Sequence, residues 1–393
     1  MSIFDKFKDM AGFIVELEEQ YTNPFGVQID RIISPTEGII NGNHTILAGT
    51  NNYLGLTFDP DCIEATHKAL DVEGTGTTGS RMANGSYSAH RLLEKELSEF
   101  YGMADAVVFS TGYLANLGML STLAGPNDIV LLDADCHASI YDGCKLGGAK
   151  TRRFKHNDVA DLEKRLIRLG DRAGEALIVI ESLYSMLGDL APLKEIVDMK
   201  NKYGCYLMVD EAHSLGIMGS KGIGLAEKLG LIDEVDFIVG TFSKSLGTAG
   251  GYCVSNHKEL DVIRYVSRPY IFTASPSPTT IAATRQALKS LAAGDHLRKR
   301  LYENANQLHA GLRNLGYKIA AAPSPVIAVV FGSKDETLEF WENLLRLGVY
   351  VNLMIPPATP KGAFLIRCSV SAAHTPEQVN TVIEAFAELR VTA

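Results

Sequence analysis

Between residues 105 and 256 the chain alternates short apolar runs with amphipathic stretches. The runs DAVVFST (105–111), DIVLLDA (128–134), ALIVIES (176–182), YLMVDEA (206–212), DFIVGTF (236–242) and GGYCVSN (250–256) are each about one strand long. They lack the polar alternation of a half-solvated strand, so they predict strands buried on both faces. Helical patterns lie between several of them, such as residues 190–203 with Pro192 near the start. Strand, helix, strand repeated in this way predicts an α/β architecture around a largely parallel, doubly covered sheet.

After about Pro278 the texture changes. A helical region, 279–315, leads into SPVIAVVFGS, GVYVNLMIPPATP and FLIRCSVSAAHTPEQVNTVIEAFAEL. These predict a smaller α+β domain closed by a helix that starts at Thr375-Pro376. The expected division is an N-terminal helix and arm (1–45), a large domain (46–280) and a small C-terminal domain (281–393). In the arm, Ile3, Phe4, Phe7, Met10, Ile14 and Leu17 fall at helical spacing. Such a stripe packs on its own protein or on a dimer partner more often than on a membrane, and peripheral membrane contact is the other reading.

Composition narrows the function classes. The 393 residues carry a formal charge of −9, which argues against nucleic acid as the main partner. The six cysteines include no C-x-x-C pair, and a chain this long needs no disulfide staples, so reduced thiols in a cytoplasmic protein are expected. No run approaches the ~20 apolar residues of a membrane span, and MSIFDKFKDM breaks into charge too early for a signal peptide. No metal site is expected.

The stretch EGTGTTGSRMANG (73–85) matches the dinucleotide fingerprint formally, through Gly74, Gly76 and Gly79. That pattern has meaning only where a strand runs into it and a helix runs out. The residues before it, DCIEATHKALDVE, are helical in pattern, with Ile63, Thr66, His67 and Leu70 on one side. A nicotinamide or flavin site is therefore not expected. What remains is a glycine-rich loop between helices, able to approach a ligand or a partner subunit closely.

The chemistry gathers at the C-terminal ends of the predicted strands, where open α/β sheets bind ligands. Asp210 closes YLMVD and is followed by His213. GTFSKSLGTAGG carries Thr241, Ser243 and Lys244 among glycines; STGYLANLG turns from strand to helix at Gly112 and Tyr113; DADCHAS ends another strand with His137. Singly these residues have ordinary explanations: a capping Asp, a loop lysine, a core histidine. Together they match what pyridoxal phosphate requires. Its aldehyde needs a lysine, its ring nitrogen a carboxylate, its ring face a flat neighbour, and its phosphate the N–H groups of a helix start plus hydroxyls.

The motifs NNYLGL, FSTGYLANLG, DCHASIYDG, ESLYSMLGD, VDEAHSLGIMGSKGIG, GTFSKSLGTAGG and LIRCSVSAAHTPEQ occur in this order from about Asp30 to the C-terminus. The chain resembles the α-oxoamine synthases, pyridoxal-phosphate enzymes that join an amino acid to an acyl thioester with loss of CO₂. The resemblance implies the fold-type I transferase architecture, with a mostly parallel seven-stranded sheet in the large domain, and a homodimer with active sites at the subunit interface. It implies Lys244 as the Schiff-base lysine, Asp210 as partner of the pyridine nitrogen, His213 as donor to the phenolic oxygen and His137 as the residue stacked on the ring. Gly112, Tyr113, Thr241 and Ser243 would bind the phosphate, Thr273 would reach the partner's phosphate, and Ser185 would sit beside the ring. Arg367 would hold the substrate carboxylate. Tyr53 and Asn84 would line the substrate site, reaching it from the other subunit.

Within the family, GSRMANGS with Asn84-Gly85, RPYIFTAS and PPATPKGAFLIRCS resemble the bacterial branch that condenses L-serine with a long-chain acyl-CoA, palmitoyl-CoA, to give 3-oxosphinganine (3-ketodihydrosphingosine), CoA and CO₂. One departure is Ile355 before Pro356-Pro357, where that branch's pattern has an arginine. The alternatives are the branches that make 8-amino-7-oxononanoate, 2-amino-3-ketobutyrate or 5-aminolevulinate. A non-catalytic subunit of a synthase heterodimer is a further reading, set against the presence of Lys244, Asp210 and His137.

Overall fold

The structure is a computed structural model, which describes residues 2–356, 359 and 362–391. The chain forms two compact units: residues 51–185 with 189–301, and residues 1–50 with 186–188 and 302–393.

Three short strands, β1 (Arg31–Ser34), β2 (Glu37–Ile40) and β3 (Asn43–Leu47), form an antiparallel meander near the N-terminus. Seven more build the larger unit's sheet: β4 (Asp105–Phe109), β5 (Ile129–Asp133), β6 (Lys150–Phe154), β7 (Ala176–Glu181), β8 (Tyr206–Asp210), β9 (Phe237–Thr241) and β10 (Gly251–Ser255). Their order is β4-β10-β9-β8-β7-β5-β6. Only β10 runs antiparallel to its neighbours, so the other five contiguous strands from β9 to β6 all point their C-terminal ends the same way. Every residue of β5, β7, β9 and β10 is buried. That is the physical reason these runs are apolar without alternation. On one face Val107, Met119, Val130, Val179 and Val239 belong to one hydrophobic cluster.

The glycine-rich stretch from Gly74 to Gly85 joins the helices Pro60–Glu73 and Ser88–Tyr101, with no strand feeding it. Gly74 sits at φ 79° and ends the first helix, a backbone conformation that favours glycine. Helix Pro278–Ala292 belongs to the larger unit, where it packs on both of those helices.

In the smaller unit, β11 (Val326–Phe331), β12 (Val349–Tyr350), β13 (Asn352–Met354) and β14 (Phe364–Ser369) complete the strands. β14 is the centre of an antiparallel sheet, flanked by β11 and β13. β12 pairs with β3 in parallel, which ties the N-terminal meander to the C-terminal residues. The N-terminal helix Lys8–Gln20 buries Leu17, and the Lys334 ammonium lies 4.1 Å from the centre of the Phe13 ring. Ile3, Phe4, Phe7 and Met10 stay exposed in the single chain. All six cysteines are free and buried. Among the described residues no helix is long and apolar enough to cross a membrane.

Candidate active site

The ends of β7, β8 and β9 surround a cavity of about 310 Å³ in the larger unit, toward the small end of the ~300–1,000 Å³ usual for small-molecule sites. Each wall comes from a residue whose position the local fold dictates. Glu181 and Asp210 are the last residues of two adjacent parallel strands and pair in register. Their side chains therefore leave the same face of the sheet one strand spacing apart, ~4.8 Å. Thr241 ends β9, and Lys244 follows it on the turn toward β10.

A helix start forms the opposite end. β4 runs into Thr111, whose hydroxyl caps helix Gly112–Leu123 by accepting the Leu114 N–H at 3.0 Å. The first N–H groups of a helix have no partner within it and favour an anion. Thr241 and Ser243 add hydroxyls here, 2.9 Å from each other. Gly112 is required sterically: a Cβ there would sit 2.8 Å from the Thr241 Cβ. One turn into the helix, Asn116 donates to Asp210 Oδ2 at 2.8 Å and to Ser139 Oγ at 3.0 Å.

His137 caps helix Ala138–Gly147, its Nδ1 accepting the Ser139 N–H. Its own N–H donates to Glu181 Oε1 at 2.5 Å. Burial holds the imidazole below its ordinary pKa, and the Lys244 charge adds to this while Asp210 opposes it. His137 is thus a neutral, ring-shaped wall at neutral pH. Glu181 moves the other way. Burial and the neighbouring Asp210 raise its carboxyl to about 8, against the pull of Lys244 and the His137 N–H. His213 lines the cavity as well, oriented by the Tyr53 hydroxyl 2.8 Å from its Nδ1.

The structure brings Lys244, Asp210, His137, His213, Gly112, Tyr113, Thr241 and Ser243 to this one cavity. Tyr53, expected to line the substrate site from the other subunit, is fully buried in its own chain with its hydroxyl against His213. Asn84 is exposed and donates to Thr77 O and Thr78 Oγ1 within its own loop. Ser185 lies in the turn after β7 and Thr273 in the turn after helix Arg268–Ile271; neither lines the cavity. Arg367 is buried on β14 of the smaller unit. Ile355 is buried too, while Pro357 and residues 358, 360 and 361 of the PPATPKG stretch lie outside the described residues. Sequence reasoning missed Glu181, Asn116 and Ser139. Glu181 had a signal, a lone carboxylate ending an apolar strand, and Asn116 had helical spacing from Gly112.

The residues fit pyridoxal phosphate. A helix start with glycine and hydroxyls offers a place for an anion at one end, and an asparagine-oriented carboxylate stands at the other, with an amine and an imidazole in between. Among the described residues the buried Asn116 Oδ1 has no hydrogen-bond partner, as expected of a wall built for a polar ligand.

Fold and cavity together define a fold-type I enzyme dependent on pyridoxal phosphate. The model of the family "aminotransferase class I and II" matches residues 43–386, and the chain belongs to that family. It is 53% identical over 389 residues to a serine palmitoyltransferase of Caulobacter vibrioides, covering 99% of this chain and 96% of that one. With the serine palmitoyltransferase of Sphingomonas paucimobilis it shares 48% identity, covering 97% and 92%. A high-resolution structure of SPT with PLP superposes with a TM-score of 0.97 at 47% identity, covering 100% of this chain and 99% of the other.

Proposed function

We propose that this chain condenses L-serine with palmitoyl-CoA, releasing CoA and CO₂ and giving 3-oxosphinganine, as a cytoplasmic homodimer. The observation that carries the reading is the convergence of Lys244, Asp210, His137 and His213 on one cavity in a chain that is 53% identical, over nearly its full length, to a serine palmitoyltransferase.

In this reading Lys244 is the amine that holds the cofactor's aldehyde. Asp210, oriented by Asn116 and by the Ala212 N–H at 2.8 Å, keeps a proton on the pyridine nitrogen. The start of helix Gly112–Leu123, with Gly112 and Tyr113, binds the phosphate together with Thr241 and Ser243. His137 covers one ring face, and His213 donates to the phenolic oxygen. Bound pyridoxal phosphate supplies an electron sink for the charge left on the amino acid's Cα.

The remaining steps belong to the chain's own groups. Arg367 holds the serine carboxylate through a charge-assisted pair. The Lys244 amine takes the Cα proton as general base. A bond then forms between Cα and the thioester carbonyl carbon, and the CoA thiolate leaves with its sulfur. The serine carboxyl departs as CO₂, and a proton returns to Cα. Tyr53 fixes the His213 ring, Asn84 lines the substrate site from the other subunit, Ser185 sits beside the cofactor ring, and Thr273 reaches the phosphate of the partner subunit.

Supplying L-serine, glycine, L-alanine or L-threonine in turn with palmitoyl-CoA, while following thiol release and product mass, tests the reading. It predicts saturable CoA release with serine and a product of the mass of 3-oxosphinganine. Release with glycine or alanine alone would assign the chain to another branch of the family.

A further inference from the structure

Two buried carboxyls end neighbouring strands and share one cavity, and the reaction above uses only Asp210. Among the described residues, Asp210 accepts two N–H donors, from Asn116 and Ala212. Glu181 accepts one, the His137 main-chain N–H. We infer that Glu181 is a positioning residue that works as the neutral acid: it pins the His137 main chain through one oxygen and leaves the negative charge of the cavity floor to Asp210 alone. This rests on the pyridoxal-phosphate reading for its consequence, though not for its geometry.

Glu181 is fully buried one strand spacing from the Asp210 carboxyl and accepts only one N–H, so burial and the neighbouring Asp210 disfavour its ionised form. The groups facing Glu181 come from every neighbouring element. Asp133 ends β5, Asp210 ends β8, His137 and Cys136 precede helix Ala138–Gly147, Tyr184 follows β7, and Lys244 follows β9. Lys244 is the one cation in this set. It cannot neutralise Asp133, Asp210 and Glu181 together, and Asp133 is already engaged by His156 at 2.8 Å. Burial and Asp210 place the Glu181 transition at about pH 8.

A single anion matters because the cavity floor sets how firmly a proton is held at the ring nitrogen. A second charge on Glu181 would hold it harder and would also draw on the Lys244 amine, which takes the Cα proton. Below about pH 8 the acid form keeps these two roles separate. The hydrogen bond that the His137 N–H donates to Glu181 survives ionisation of the carboxyl, so the ring wall persists while the electrostatics change.

Infrared difference spectra of the full-length protein, recorded with and without cofactor and with ¹³C-labelled glutamate, test this without relying on turnover. A protonated, label-shifted carboxyl band is expected in the cofactor-free protein near neutral pH, disappearing as pH passes about 8. Its absence at neutral pH would overturn the inference and leave the cofactor reading intact. Glu181→Gln should remove that band while keeping an acceptor for the His137 N–H. In the loaded protein it should retain the visible cofactor band and lose the alkaline break of the pH–kcat profile. If the band and the break both persist in Glu181→Gln, they belong to another group and the inference fails. Glu181→Ala, which deletes the acceptor, should in addition change the shape of the cofactor's circular dichroism, a change that Glu181→Gln should not produce; identical spectra for the two variants would contradict the pinning role.

Discussion

Two glycine-bearing turns of this chain look alike in the sequence and do different things. Gly74, Gly76 and Gly79 match a nucleotide fingerprint, yet they follow a helix that ends at Glu73. Gly112 stands alone, yet β4 feeds it and a helix leaves from it. Only the second is a helix start that a strand delivers to the edge of the cavity. Binding capacity comes from the order of elements around a glycine rather than from the spacing of glycines.

That contrast is easiest to break at Gly112. Gly112→Ala puts a methyl against Thr241, and overpacking of this kind costs ~1–3 kcal/mol. Equilibrium dialysis should show a loss of pyridoxal-phosphate affinity of about 10- to 100-fold; unchanged affinity would mean the phosphate binds elsewhere. Gly85 in the other loop is more crowded still, since a Cβ would sit 2.3 Å from Gly79 O and 2.7 Å from both Ser275 Oγ and Ser80 O. Gly85→Ala should therefore lower stability by ~1–3 kcal/mol and raise the KM for the amino acid, with the cofactor's visible band retained. A lost band there would make the two turns one functional unit. Thr111→Ala removes the cap of helix Gly112–Leu123, at ~1 kcal/mol in a thermal melt, and the melting midpoint should recover as cofactor is added. A methyl added at Gly76 would meet nothing within 4 Å, and the residue has no positive φ. Gly76→Ala should change stability by less than ~0.5 kcal/mol and leave cofactor binding alone, although it destroys the fingerprint.

How much was legible beforehand follows from the same physics. The interior strands were readable because burial on both faces leaves an apolar run that little else produces. The edge strand β6, KTRRF, was not, since four of its five residues are exposed and their composition suggests a loop. The strands β1 to β3 are too short, and their burial too mixed, for a period to show. In the site, Lys244, Asp210, His137 and His213 could be named because their chemistry and their places after strands coincide. Adjacent acids are harder. Asp210 lines the cavity, whereas Glu211 beside it accepts the Leu225 and Ala226 N–H groups at 3.0 and 2.9 Å and anchors a short helix. Nothing in the string DEAH separates the two. Glu181 escaped notice for a related reason: its meaning depends on being in register with Asp210, a relation between strands that are 29 residues apart in sequence.

Borohydride reduction of the protein loaded with pyridoxal phosphate, followed by peptide mapping, asks directly whether Lys244 holds the cofactor in this cavity. The expected result is one phosphopyridoxyl group per chain, on Lys244, with less on that peptide in Gly112→Ala when both proteins are treated at a cofactor concentration that only half-loads the unaltered chain. Stoichiometric labelling of a different lysine, or none after full loading, would contradict it.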